Sequence, residues 1–449
     1  MSLSSLQFIF IFLPLAFLLY CFIPQKYKYI ILFAVSLLFY AWGGLNSLWL
    51  LLACILFTFV SGLSITKCRK AGDHRFAKIS FIIAVAGNVL ILCLYKYVFD
   101  EMPIGISFFT FSELSYLCDI YLRDMDAPAN PLDMALYVSF FPKVTSGPIV
   151  QFKDFKDQIH KAKVTSIGVE RGAYYIIIGL FKKVLLADRL GAAFTAITSA
   201  GTLSVGGAWL GMIFYSLQLY FDFAGYSDMA IGVASLFGYN FKKNFDRPYT
   251  SENIQVFWRK WHISLGEWFR DYVYIPLGGN RGSTGFQIRN MAVVWILTGI
   301  WHGNSFNFVL WGLWHLGFIL LYRFVLKDAY DRLPRVVRIL LTDLVVFVGW
   351  VFFFSKSAGA SFSYLGTLFY SSAGFFNGIS GFVFAQYFLL LAVAIVCCTG
   401  VVDKLDKKLS YQMGKTGTYC SLAIKALLLL FCIAEIVSST YQTFLYFQF

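Results

Sequence analysis

An all-α bundle of membrane-spanning helices is the fold class this chain predicts, on three observations. Hydrophobic residues make up 59% of its 449 positions and charged residues 14%, a balance that does not describe a water-facing surface. Apolar runs that with short extensions could cross ~30 Å of hydrocarbon recur from end to end. Examples are Phe8 to Phe22, Leu48 to Leu63, Ile79 to Leu94 and Leu422 to Val437, the last still carrying Lys425 and Glu435. Finally, no train of about ten-residue alternating segments is present, so helices and not a barrel supply the partners that backbone amides need in lipid. About eleven spanning or re-entrant segments follow. With no internal repeat and no low-complexity linker, one membrane domain over 1–449 is the simplest division.

The first segment has no basic residue before it and no small-residue cleavage site after it, so it reads as a retained helix. The basic loop Lys67 to Lys78, with Arg69, Lys70 and Arg75, is expected to face the cytoplasm. Counting back three helices puts the N-terminus outside. The same rule puts Lys327 to Arg338 and Lys404 to Lys415 inside, with a helix pair between them reaching out around Gly374. One further helix leaves the C-terminus outside. The net charge of +13 is therefore read as orientation, and nucleic acid is not an expected partner. Nine cysteines lie mostly in apolar stretches without metal-ligand spacing, and the adjacent Cys397 and Cys398 are poorly placed for a relaxed bridge. They are expected to be small core residues, with no metal site.

The stretch from Lys242 to Arg289 differs in texture. Lys242, Lys243, Arg247, Arg259, Lys260, Arg270, Arg281 and Arg289 alternate there with Tyr249, Trp258, Trp261, Trp268 and Tyr272. Amphipathic helices at or dipping into the cytoplasmic interface have this mixture. Irregular backbone at membrane depth survives only inside protein or around a watery cavity, so a cavity open to the cytoplasm is expected here.

Polar groups within apolar segments are costly, which makes them the first candidates for function. Asp222 and Asp228 sit among aromatics in the run Leu219 to Asp228, and His302 ends an apolar run in Thr298-Gly299-Ile300-Trp301-His302-Gly303-Asn304. The aspartates are either paired structural residues or substrate-binding groups. Of the other histidines, His74 and His160 lie in charged loops and read as surface residues, while His315 on an apolar helix reads as packing. His262, in Arg259-Lys260-Trp261-His262-Ile263-Ser264, either positions substrate or makes a structural hydrogen bond. The small neighbours Gly299 and Gly303 would let a substrate approach His302, and an imidazole with a pKa near ~6.5 suits a general base. Helix-packing glue is the alternative for it. Trp258, Trp301 and Asn304, close to these histidines in sequence, are candidate substrate contacts.

No phosphate loop, H-E-x-x-H helix or G-x-S-x-G elbow is present. Gly278-Gly279-Asn280-Arg281-Gly282 lacks a preceding strand and reads as a tight cytoplasmic turn. The aromatic ending Phe444 to Phe449 is either an interfacial belt or, through a tyrosine hydroxyl, an acyl acceptor.

Six stretches together resemble the membrane-bound O-acyltransferase family, in the bacterial branch of alginate O-acetylation and lipoteichoic acid D-alanylation. They are Pro103 to Phe111, Phe140 to Pro142 with Ser146 to Ile149, Gly179 to Lys183, Asp222 to Asp228, Phe257 to Leu265 and Gly299 to Gly303, within a core of about 90–320. The resemblance implies a helical bundle around a central tunnel, His302 as the catalytic histidine and His262 as a second, upstream one. Tyr274 to Arg281 looks like the alginate-type branch, which implies acetyl, with D-alanyl as the alternative. Glu113 departs from the family, where glutamine or a small residue is usual. The tail, 441–449, resembles an F-x-Y-x-x-F acyl-relay ending, with Phe444, Tyr446 and Phe449 in register, which implies Tyr446 as a transient acyl carrier.

The function so implied is transfer of an acyl group from a cytoplasmic thioester, acetyl-CoA or an acyl carrier protein, across the membrane. A secreted or anchored partner with a serine nucleophile would pass it to a polysaccharide. No bound cofactor is expected, the chain would sit in lipid in the bacterial cytoplasmic membrane, and a transporter or flippase is the reading from a different class, weakened by the lack of inverted repeats.

Overall fold

The computed structural model describes residues 1–199 and 201–438, apart from the side chains of Asp403, Lys407, Leu409 and Ser410, and every regular element among them is helical. The tail 441–449, with Phe444, Tyr446 and Phe449, lies outside the described residues. In chain order the main helices are α1 (Phe8–Phe22), α2 (Lys28–Ala41), α3 (Leu45–Lys70), α4 (His74–Tyr97), α5 (Ile106–Leu122), α6 (Pro131–Ser139), α7 (Ser166–Leu180), α8 (Asp188–Thr198) and α9 (Val205–Leu236). Then come α10 (Ile254–Lys260), α11 (Ile263–Phe269), α12 (Thr284–His302), α13 (Phe306–Leu321), α14 (Arg335–Phe354), α15 (Ala358–Thr367), α16 (Gly378–Thr399), α17 (Val401–Gln412) and α18 (Gly414–Ser438).

Among the described residues six helices are long and apolar enough to cross a membrane: α3, α4, α13 with its continuation to Asp331, α14, α16 and α18. At 1.5 Å per residue ~20 residues are needed, and α1 and α2 fall short of that. The eleven or so expected segments thus resolve into six long helices and a set of shorter or bent ones. The chain's contacts divide into two compact units, residues 1–176 with 226–243 and residues 177–225 with 244–449.

In the first unit, α3 and α4 form a hairpin around the expected basic turn. Gly72 takes φ +76°, and Asp73 caps α4 by accepting the Phe76 N–H at 3.0 Å. Buried Thr58 and Asn88 tie the two helices together, Asn88 Nδ2 donating to Thr58 Oγ1 at 3.1 Å. Beyond the turn, Asp126 accepts from Arg69 at 2.8 Å and pairs with Lys70 at 2.9 Å. The Lys70 hydrogen bond holds the Asp126 carboxyl below the usual carboxylate range. Glu113 is fully buried on α5, with equally buried Lys143 supplying opposite charge. Lys143 donates to Ser112 Oγ at 2.7 Å.

In the second unit, the turn before α14 is stitched by Glu252, which accepts from both Arg335 and Arg338 at 2.9 Å. The chain reverses at Gly374, φ +76°, between α15 and α16, where the sequence places its outward turn. The two charges in the last apolar run are both answered: Lys425 pairs with Asp406 at 2.9 Å and Glu435 with Arg189 at 2.6 Å. All nine cysteines are free, but only Cys54, Cys118, Cys398 and Cys432 are buried, so the expectation of core cysteines holds for those and fails for exposed Cys21 and Cys420.

The charge-derived orientation is tested by single cysteines in a cysteine-free background. In intact cells a membrane-impermeant maleimide is expected to label Ser372→Cys and to leave Ala71→Cys and Lys415→Cys unmodified until the cells are broken. Labelling of Ala71→Cys from outside would reverse the orientation.

Candidate active site

The polar stretch expected at the interface is a chain of short helices held by its own backbone. Asp246 N–H donates to the Lys260 carbonyl at 3.0 Å and Ile263 N–H to the Asn244 carbonyl at 2.9 Å, closing the loop that carries α10. Within this closure the Asn244 side-chain oxygen accepts the Ser264 N–H at 3.1 Å and the Ser264 hydroxyl at 2.9 Å, with His262 Nδ1 at 3.2 Å. The backbone donor fixes that atom as oxygen, so neutral His262 carries its proton on Nδ1 and offers Nε2 as an acceptor. His262 itself takes φ +44°, a conformation that costs a residue other than glycine ~1–3 kcal/mol and persists only because the bonds around it fix it. Its ring is edge-on to Phe223 at 4.6 Å.

His302 is the last residue of α12, buried, with its ring edge-on to Trp311 at 4.9 Å and to Phe353 at 5.0 Å and tilted against Trp301 at 4.6 Å. His262 and His302 line one cavity of about 200 Å³. At ~30 Å³ per water molecule it has room for a small acyl group and its attacking hydroxyl. Trp258, Trp261, Trp295, Trp311, Trp350 and Phe353 form its walls, and exposed Arg270 stands at its edge. Asp271 pairs with Arg270 at 2.8 Å, and that hydrogen bond raises the guanidinium pKa further, so Arg270 is a fixed positive charge. Trp258 meets Trp295 edge-on at 4.9 Å and Trp311 at 5.6 Å, and such pairs contribute about 0.5–1.5 kcal/mol each beyond burial.

Three of the candidates, His262, His302 and Trp258, are brought together. Trp301 packs on His302 without lining the cavity, and Asn304 is exposed in the turn after α12. Asp222 is buried against Lys183 at 2.8 Å, and Lys183 also reaches Asp188 at 2.5 Å. That ion triad, built where the helix widens over Phe181–Ala187, does not line the cavity. Asp228 lies on the same helix in the other compact unit and is half-buried. His74 and His160 are exposed, the latter bonded to Asp133 at 3.0 Å. His315 is fully buried behind the wall, edge-on to Trp258 at 4.7 Å, packed as expected but with neither ring nitrogen hydrogen-bonded among the described residues.

One expectation is corrected. Gly299 and Gly303 do not open a path to His302; they admit α13. A Cβ on Gly299 would stand 2.5 Å from the Phe308 carbonyl oxygen, one on Gly303 would strike the Phe308 ring, and one on Gly312 would stand 2.6 Å from the Trp295 carbonyl oxygen. Spacing alone missed Arg270, Trp295, Trp311, Trp350 and Asn244. Of these, Arg270 belonged to the basic run, and the three tryptophans could have been found as indoles clustered on neighbouring helices.

Overpacking that contact is expected to cost about 1–3 kcal/mol, so Gly312→Ala should lower the melting temperature, while Gly317→Ala on the same helix, with nothing within 4 Å, should not. Asp222→Ala leaves Lys183 with Asp188 alone and should lower the melting temperature, by less than the ~3–5 kcal/mol that a wholly unpaired buried charge costs. An unchanged melt for Asp222→Ala would mean the triad is not what holds that helix.

The profile of the membrane-bound O-acyltransferase family matches residues 126–355, which include both histidines of the cavity. Over 376 residues the chain is 38% identical to a probable alginate O-acetylase AlgI from Pseudomonas aeruginosa, covering 79% of this chain and 72% of that one. It is 35% identical to a peptidoglycan O-acetyltransferase from Helicobacter pylori, over 78% of this chain and 76% of that one. A teichoic acid D-alanyltransferase from Bacillus subtilis matches at 32% over 56% of this chain and 69% of its own. The chain belongs to the membrane-bound O-acyltransferase family and is a multi-pass membrane O-acyltransferase.

Proposed function

We propose that this protein transfers an acetyl group from a cytoplasmic thioester to a hydroxyl presented from the outer side, for delivery to a cell-surface or secreted polysaccharide. The observation that carries this reading is the placement of His262 and His302 on one aromatic-walled cavity with Arg270 at its edge. Relatives named for O-acetylation align over 79% and 78% of the chain, against 56% for the D-alanyltransferase, which favours acetyl over D-alanyl.

In the proposed reaction His302 takes the proton of the attacking hydroxyl as its oxygen bonds to the thioester carbonyl carbon. The carbon–sulfur bond then breaks and the thiolate leaves with that proton, so the products are an ester and a free thiol. The imidazolium forms at the carbonyl end of α12, where the helix dipole favours positive charge. General base catalysis of this kind supplies about 10²–10⁴-fold. His262, with Nε2 as acceptor, orients the incoming group, and Arg270 attracts the phosphates of a coenzyme A or carrier-protein donor. Trp258 excludes water around the reacting atoms, and Trp301 holds the His302 ring from outside the cavity.

Tyr446 is the proposed first acceptor, with an extracytoplasmic serine-nucleophile partner completing delivery. Both termini are proposed to face outward from the cytoplasmic membrane. Asp222 and Asn304 are proposed to support the pocket from outside its walls.

Intact mass after incubation with acetyl-CoA tests the reading. Wild type is expected to gain one acetyl group, and His302→Ala and Tyr446→Phe none. Labelling by a D-alanyl carrier protein alone would keep the chemistry and change the substrate. No labelling of folded wild type by either donor would remove the tail relay. A further variant, Arg270→Met, is expected to raise KM for acetyl-CoA at least several-fold with kcat little changed; equal KM values would remove Arg270 from donor binding.

A further inference from the structure

A second, larger cavity of about 670 Å³ lies in the second unit, lined by α13, α14 and α15 with Trp209 of α9 and Ile254 of α10. At ~30 Å³ per water-sized group, close to the size of a methylene, it holds one lipid acyl chain and not two. Its interior is apolar because the polar atoms of its walls are spent inward: Trp314 Nε1 donates to the Val345 carbonyl at 2.8 Å and Trp209 Nε1 to the Leu368 carbonyl at 3.0 Å.

The groove has one polar end. There the Tyr330 hydroxyl lies 2.8 Å from Thr342 Oγ1 and 2.7 Å from the Arg338 carbonyl, and the chain turns through Arg323 to Arg338. Arg335 and Arg338 share the single negative charge of Glu252, and Arg323 is held by neutral Gln287 at 2.8 Å, so positive charge remains at this end. Lys327 and Arg332 are exposed and make no ion pair among the described residues, Lys327 next to groove-lining Leu326 and Arg332 two residues past groove-lining Tyr330. An apolar slot for one chain, ending at a turn whose five basic residues, Arg323, Lys327, Arg332, Arg335 and Arg338, outnumber the acidic Glu252, Asp328 and Asp331, is complementary to a lipid with a negative headgroup.

We infer that this groove is a binding site for one acyl chain of an anionic glycerophospholipid, its phosphate held by Lys327 and Arg332. The same helices face both cavities. Ile254 shares α10 with Trp258, α13 carries Trp311, and α14 carries Trp350 and Phe353, all on the walls of the histidine cavity. A lipid seated here braces the histidine cavity from behind, and the site is independent of which acyl group the enzyme transfers.

Native mass spectrometry of the full-length protein released from micelles tests it, with phosphatidylglycerol and phosphatidylethanolamine of matched chains as probes. Wild type is expected to retain one phosphatidylglycerol about tenfold or more in preference to phosphatidylethanolamine. Val348→Trp, which fills the groove, should lose that lipid. Lys327→Glu with Arg332→Glu, at exposed positions that do not threaten folding, should lose the preference while melting like wild type. Equal retention of the two lipids by wild type, or a preference that survives the double charge reversal, would overturn the inference.

Discussion

The side-chain oxygen of Asn244 is the atom on which the histidine end of the cavity depends. It receives both donors of Ser264 and the Nδ1 of His262, and so reinforces the backbone closure of the loop, sets the tautomer of the imidazole and holds a residue of left-handed backbone. A polar stretch beside apolar helices cannot rely on water for its backbone groups. Here that requirement is met by a loop that closes on itself, and closure aims His262 at the same space as His302.

The opposite wall rests on a different contact. Gly299 and Gly312 let α12 and α13 approach until a methyl group would strike a carbonyl oxygen. That approach brings Trp295, Trp311 and His302 together and leaves a small aromatic chamber instead of a solid core. The bulky indoles keep the space from collapsing, and their edge-on contacts give it a fixed shape. Rigid walls suit a reaction in which a base must stand within hydrogen-bond reach of a hydroxyl. The Lys183, Asp188 and Asp222 triad is an anchor outside this chamber.

Much of the architecture was legible because it follows from solvent. Long apolar runs such as those of α3, α4 and α18 and the basic turn after Lys67 are written in composition, and the polarity of Lys242 to Arg289 marked the one stretch that could not span. His302 and His262 stood out because an imidazole in such surroundings is costly. The rest depended on tertiary placement. A tryptophan in an apolar helix, as at 295, 311 or 350, reads the same whether it faces lipid, core or cavity. Glycine beside a histidine suggested access, whereas the space was taken by Phe308. Lys183, which pairs with Asp222, lies 39 residues earlier in the chain, on an element whose closeness no local pattern encodes.

The account turns on one chamber receiving the acyl group beside His302. Cryo-electron microscopy of the full-length protein with a non-transferable thioether analogue of acetyl-CoA tests this directly. The account requires the acetyl carbonyl in the chamber walled by Trp258, Trp311 and Phe353, within one hydroxyl's reach of the His302 ring, and the phosphates toward Arg270. An analogue bound with its acetyl end outside that chamber would contradict it.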